Sequence, residues 1–264
     1  MSVPRPASFR SVRGPLLLER RPVPGGPGLV ALEQRLACHG SATRLLVTGE
    51  GWLLAAVEVE RGRLDAAGGA TPARFTLFVP PRSVVSLRLE AAALWSLGVG
   101  GLGDPPAAHA VPVLLRAQEP RPVTAEDVLH LAGAETVRTL EADPPGGGRR
   151  APLADARRRL HENRAGPRPL AASAAELGLS PPALCKAFCA AYGITPKQYV
   201  QRARVFDAVL MLLLGRPVME AALEAGFADL SRFYRQFGRL VGSTPARYRR
   251  ASARTAKTAA PRVR

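Results

Sequence analysis

Hydrophobic and polar positions follow different rules in the two halves of this chain. Through residues 28–116 the apolar residues come in short runs broken by glycine or proline. Val85, Leu87 and Leu89 alternate with Ser86, Arg88 and Glu90, the period of a strand with one face in a core. Trp52 to Glu60 alternates only late, with Val57 and Val59 set between Glu58 and Glu60. Turn residues punctuate at Gly49–Gly51, Gly68–Gly69, Pro80–Pro81 and Gly100–Gly103, and a last apolar run covers Val111–Leu115. The pattern predicts about seven short strands in a small sandwich or barrel.

The period changes after Pro122. Thr124 is placed to cap a helix, with Glu126 and Asp127 at its positive end. Val128, Leu129, Leu131, Ala132, Val137 and Leu140 extend that helix over 124–141, weakened at Gly133. Asp143 to Arg150, with two prolines and three glycines, reads as a linker. Beyond Pro152 helices are expected at 153–163, 170–177, 181–191, 197–214, 218–225 and 229–240. The organisation is therefore α+β and multi-domain. Residues 1–120 form the sheet domain, beginning with an irregular arm over 1–27. Residues 121–151 connect it to an all-α domain at 152–250, and 251–264 form a disordered basic tail.

The helical half repeats itself at an offset of 49 residues. Phe188, Gly193, Thr195, Pro196 and Tyr199 recur as Phe237, Gly242, Thr244, Pro245 and Tyr248. Phe anchors the end of one helix and Gly takes the left-handed cap. Thr caps the next helix and Pro fills its first turn. Upstream of each copy stands A-x-x-x-G: Ala174 before Gly178, and Ala222 before Gly226. A short helix, a Gly turn and a capped second helix make the helix-turn-helix pattern. Leu184 and Phe188 in the first unit, and Phe233 and Phe237 in the second, face inward by their spacing of four.

Residues 152–250 resemble the DNA-binding domain of AraC/XylS-type transcription regulators. The run from Gly226-Phe-Ala-Asp-Leu-Ser-Arg-Phe through Phe237 to Gly242-Ser-Thr-Pro-Ala-Arg-Tyr-Arg249 carries the likeness. Gly238, Ala221 and Ser173 depart from the family's usual residues. The resemblance implies two helix-turn-helix units on one joining helix, and a cupin-like effector barrel in residues 1–120. It implies double-stranded DNA and RNA polymerase as partners, activation as the usual outcome, and control by a small-molecule effector or a homodimer. By resemblance, Pro182, Cys185 and Lys186 of the first unit face the DNA. In the second unit Leu230, Ser231, Arg232, Tyr234, Arg235 and Arg239 do so. Arg232 and Arg235 can donate in pairs to guanine, whereas only Lys186 donates strongly in the first unit.

Composition narrows the function classes. The net charge is +16, and residues 170–264 hold 15 basic against 5 acidic side chains. A basic domain beside a nearly balanced one points to nucleic acid. No uncharged run reaches 18 residues and no secretory segment opens the chain, so a cytoplasmic protein without a membrane span is expected. Three cysteines make no disulfide framework. Cys185 and Cys189, four apart, admit a thiol or metal sensor but read more simply as free thiols. His39, His109, His130 and His161 give no metal-binding cupin spacing. No catalytic residue, metal ligand or cofactor is expected. A cupin-type enzyme fused to a DNA-binding domain is the alternative. Arg44, Arg74, Glu90 and Trp95 are the effector-contact candidates.

Overall fold

The structure is a computed structural model that describes residues 19–21, 29–37, 39–66, 69–117, 122, 124–140, 150–162 and 169–250. The N-terminal arm, apart from Glu19–Arg21, and the basic tail lie outside the described residues.

The first part is a nine-stranded antiparallel sheet. Its strands are β1 (Glu19–Arg21), β2 (Leu29–Ala37), β3 (Ser41–Val47), β4 (Gly51–Ala66), β5 (Gly69–Ala70), β6 (Arg74–Val79), β7 (Val84–Leu102), β8 (Val113–Arg116) and β9 (Thr136–Thr139). The pairing path is β1-β2-β7-β4-β6-β8-β9, with β3 on β7 and β5 on β4. Among the described strands this path is open, because β1 pairs with β2 and β9 with β8. The expected closed barrel is therefore corrected to an open sheet.

The expectation of short strands fails at β4 and β7, which run 16 and 19 residues. They form one long ribbon from Gly51↔Leu102 to Ala66↔Leu87. A register shift across Val59, Arg61 and Arg63 bends it, facing Ala91 at φ 45°. The missing alternation in 52–57 has a plain cause: both faces of β4 are buried there. Leu53, Ala55 and Val57 pack with Phe75, Leu77 and Val79 on one face. Trp52 and Leu54 pack with Phe78, Leu97 and Val99 on the other.

The predicted helix over 124–141 is also corrected. Thr124 does form a capping box with Asp127 and starts α1 (Ala125–His130). The helix tightens into a 3-10 turn at Leu131–Gly133, and β9 follows. Val137 is therefore an exposed strand residue, while Leu140 is buried in the sheet core. Three residues after the 3-10 turn the backbone finds partners on β8 (Thr136↔Leu115, Arg138↔Leu114), which a helix would forgo.

The helical part runs α2 (Arg150–Glu162), α3 (Pro169–Glu176), α4 (Pro181–Tyr192), α5 (Pro196–Leu213), α6 (Val218–Glu224) and α7 (Leu230–Val241). These agree with the expected helices to within three residues at every end. Ser180 caps α4 through the Ala183 N–H, and Thr195 caps α5 in a box with Gln198. Asp229 caps α7 through the Ser231 N–H. The long joining helix α5 divides its loyalties. Tyr199, Val200 and Ala203 pack with α2 and α4, whereas Val205 to Leu213 pack with α6 and α7.

That second cluster does not stop at the helices. It continues into Leu53, Val79 and Val85 of the sheet, so the sheet rests on α5. The two sheet turns that meet the helices are stitched together. Thr48 Oγ1 donates to the Pro80 carbonyl at 2.7 Å and accepts from the Ser83 N–H at 2.9 Å. The Arg82 N–H donates to the Gly49 carbonyl at 2.7 Å.

Candidate nucleic-acid interface

Each helix-turn-helix unit is built the same way. In the first, Ala174 is fully buried and its carbonyl accepts the Leu179 N–H at 2.9 Å across the turn. In the second, Ala222 is fully buried and accepts the Phe227 N–H at 2.9 Å. Gly178 and Gly226 hold the turns at φ 64° and 85°. The small alanine lets the second helix cross close to the first.

The inward faces follow the expected spacing. Leu184 and Phe188 on α4, and Phe233 and Phe237 on α7, have no exposed surface. Phe188 stacks near Tyr192 and Tyr199, with centroids 4.6 and 5.7 Å away. In the second unit Phe233 stands 5.0 Å from Phe227 and 5.5 Å from Phe237, which meets Tyr248 at 5.6 Å. Burial raises the pKa of both Tyr199 and Tyr248, so both rings stay neutral.

Gly226→Val tests the turn. A Cβ at Gly226 would meet Arg204 Nε only at 3.4 Å, so space is not the obstacle. The obstacle is a branched residue at φ 85°, which should cost about 1–3 kcal/mol. Thermal or denaturant unfolding reads the loss. An unchanged midpoint would show that the turn does not need this backbone.

What remains outside is the candidate interface. On α4, Pro182 and Lys186 are exposed, and Cys185 and Cys189 are half-buried free thiols. On α7, Leu230, Ser231, Arg232, Tyr234, Arg235 and Arg239 are all exposed. Arg232, Arg235 and Arg239 follow the i, i+3, i+7 spacing of one helical stripe. Past its Asp229 cap, α7 carries no acidic residue. The first unit presents one cation on its second helix and the second presents three.

Arg239 has a further task that sequence reasoning missed. Its guanidinium donates to Gln236 at 2.6 Å and to Gln201 of α5 at 3.2 Å. Arg202 lies near it, half-buried; burial and then the Arg239 charge lower its pKa. The join of α5 and α7 is thus a concentrated positive spot.

The other half of the sheet offers a shallow, solvent-open cleft. Of the effector-contact candidates, Arg74 and Trp95 line it together with Glu58, Thr76 and Leu131. Arg74 Nε lies 3.5 Å from Glu58 Oε1. Glu90 instead pairs with Arg88, and the Arg44 side chain lies outside the described residues. Among the described residues no group of three His, Cys, Asp or Glu side chains could hold a metal ion, and no helix is long and apolar enough to cross a membrane.

Comparison with known proteins bears on the same stretch. A helix-turn-helix domain family matches residues 173–251. Residues 173–251 are a helix-turn-helix domain of the AraC type. The melibiose operon regulatory protein of Escherichia coli (strain K12) is 36% identical over 66 residues, 25% of this chain and 22% of that protein. The virulence regulon transcriptional activator VirF of Yersinia enterocolitica is 32% identical over 77 residues, 29% of this chain and 28% of that protein. The chain therefore spans less than a third of the length of these curated relatives. Among solved structures, ToxT from Vibrio cholerae aligns over 85% of this chain and 98% of its own at 11% identity, with a TM-score of 0.48.

Proposed function

We propose that this chain is a sequence-specific DNA-binding transcription regulator of the AraC/XylS type. Its DNA-binding domain is residues 152–250, its sheet domain residues 1–120, and 121–151 connects them. The observation that carries the reading is the second helix of the second unit. There Arg232 and Arg235 stand exposed on the outer face of a helix whose inner face is Phe233 and Phe237. That is the form of a helix built to enter a major groove.

The joining helix α5 sets the spacing. Its 18 residues span ~27 Å at 1.5 Å per residue. With the width of the flanking helices this separates the two reading helices by about one duplex turn, ~34 Å. Both enter successive major grooves on one face of double-stranded DNA. The two units differ in every outward residue, so the site is directional rather than palindromic. Arg235 and Arg232 read bases, and Lys186 chiefly holds phosphate. Regulation acts through contact with RNA polymerase, with activation the expected sign. The Arg74–Trp95 cleft is the proposed seat of a small-molecule effector, which acts by preferring one arrangement of the two domains. A homodimer through the sheet domain is the other proposed means of control.

A footprint with systematic base substitution tests the readout. Arg235→Ala should cost about 1–3 kcal/mol of binding and relax the choice at one base pair. Cys185→Ser should leave affinity nearly unchanged. A palindromic footprint, or a strict half-site assigned to Lys186 with an indifferent one at Arg235, would overturn the assignment of the two helices.

A further inference from the structure

The joining helix carries one residue that its role in spacing the two units does not explain. Asp207 interrupts the run from Phe206 to Leu214, and it is 1% exposed. A carboxylate in such a place needs strong partners, because an unpaired buried charge is costly. It finds them on the sheet. Asp207 Oδ1 accepts the Glu50 N–H at 2.7 Å and the Gly51 N–H at 3.2 Å. These are charge-assisted bonds to the tip of the turn between β3 and β4.

The turn is shaped for this contact. A Cβ at Gly49 would lie 2.1 Å from Asp207 Oδ2. A Cβ at Gly51 would lie 2.2 Å from Leu210 Cδ1, the residue three further along α5. A side chain at Gly49 would have to displace the Asp207 carboxylate, and one at Gly51 the Leu210 side chain and the Gly101 carbonyl. Between the two glycines, the Glu50 side chain reaches sideways. Its Oε1 lies 3.0 Å from His161 Nε2 on α2, and its Oε2 accepts from Arg82 at 3.0 Å on the neighbouring turn. His161 is fully buried, with its ring 6.4 Å from Tyr199 of α5. The platform behind is held by Thr48, Pro80 and Ser83.

We infer that the Gly49-Glu50-Gly51 turn is a socket that positions the two reading units relative to one another, with Asp207 as its positioning residue. The inference rests on the DNA-binding reading above. The socket grips two separate parts of the helical domain. Through His161 it holds α2, whose Leu153, Ala156 and Leu160 pack with Leu184 and Phe188 of the first reading helix. Through Asp207 it holds α5 just beyond Ala203, where packing on the first unit gives way to packing on the second. One rigid sheet edge therefore fixes the scaffold of the first unit to the stem of the second. A seated socket presents both reading helices already in register, so binding a two-part site loses less conformational freedom. Engagement of one half-site alone gains nothing from it.

The test uses the full chain and the duplex that the wild-type chain selects from a random pool. Two further duplexes carry the same sequence with one half or the other scrambled. Asp207→Ala removes the acceptor, Gly49→Ala wedges the turn off the helix, and Asp207→Asn keeps size and one acceptor. Asp207→Ala and Gly49→Ala are each expected to weaken binding to the intact duplex about tenfold or more, and to the scrambled duplexes less than about twofold. Asp207→Asn should fall between them and the wild type. The two variants should also tolerate one inserted base pair between the halves better than the wild type does. Equal loss on intact and scrambled duplexes would make Asp207 a stability residue only and overturn the proposal. So would unchanged or tighter binding to the intact duplex. A wild-type chain that selects no duplex would instead sink the DNA-binding reading itself.

Discussion

Phe237→Ala is expected to destabilise the helical domain by ~3–5 kcal/mol. The ring has no exposed surface and sits between Phe233 and Tyr248 at 5.5 and 5.6 Å. Removing it takes away two aromatic contacts and leaves a cavity that Ala222 and Val241, small and already buried, are poorly placed to fill. Tyr234, 40% exposed at the rim of the same face with its ring 5.9 Å from Phe233, is the comparison. Its replacement by alanine should cost about 1 kcal/mol or less. Denaturant unfolding of the two variants separates them. Similar midpoints for both would mean that α7 does not pack by its phenylalanine face.

Binding to DNA should fall steeply with salt. Residues 170–264 hold 15 basic side chains against 5 acidic ones. With ~6 of them on phosphates, the slope of log K against log salt should lie near −5. Between 50 and 200 mM salt, affinity should then drop ~1000-fold. Arg235→Ala should change the slope less than loss of a pure phosphate contact does, if its main partner is a base. Titrations at four or five salt concentrations measure this. A slope near zero would be incompatible with a nucleic-acid partner.

The helical half was legible because its signals are local. Ser180, Thr195 and Asp229 each make their cap within three residues, and the phenylalanine spacing of four is fixed by the helix itself. The sheet was legible only in outline. Turn residues marked its breaks, but the β4–β7 ribbon joins Gly51 to Leu102 and Ala66 to Leu87, and no local pattern reports that pairing. Burial of both faces erased the alternation that would have identified Leu53 to Val57 as strand. The 131–140 stretch misled because Val137 and Leu140 fit a helical stripe, while strand pairing with β8 decided the outcome. Of the interface residues, the outward set on α7 could be read from the helix, whereas the tie from Arg239 to Gln201 could not, being 38 residues apart. Asp207 did leave a trace: a lone carboxylate in an apolar helix. Its partners, 156 and 157 residues away, left none.

The seat of Glu50 on α5 also bears on how the two domains stay together. The covalent path between them runs from Leu140, buried in the sheet core, to Arg150 at the start of α2. Ten residues reach at most about 35 Å. A turn that leaves Asp207 therefore cannot wander, and it meets its seat again as a tethered reactant. At such reach the effective concentration is on the order of millimolar. On the proposed socket, seated and unseated forms would exchange within one molecule, at a ratio independent of protein concentration. On the proposed reading, occupancy of DNA would follow the free energy of the sheet's contact with α5 and α2. Under the proposed effector control, a ligand in the sheet would shift that ratio only by its difference in affinity for the two forms.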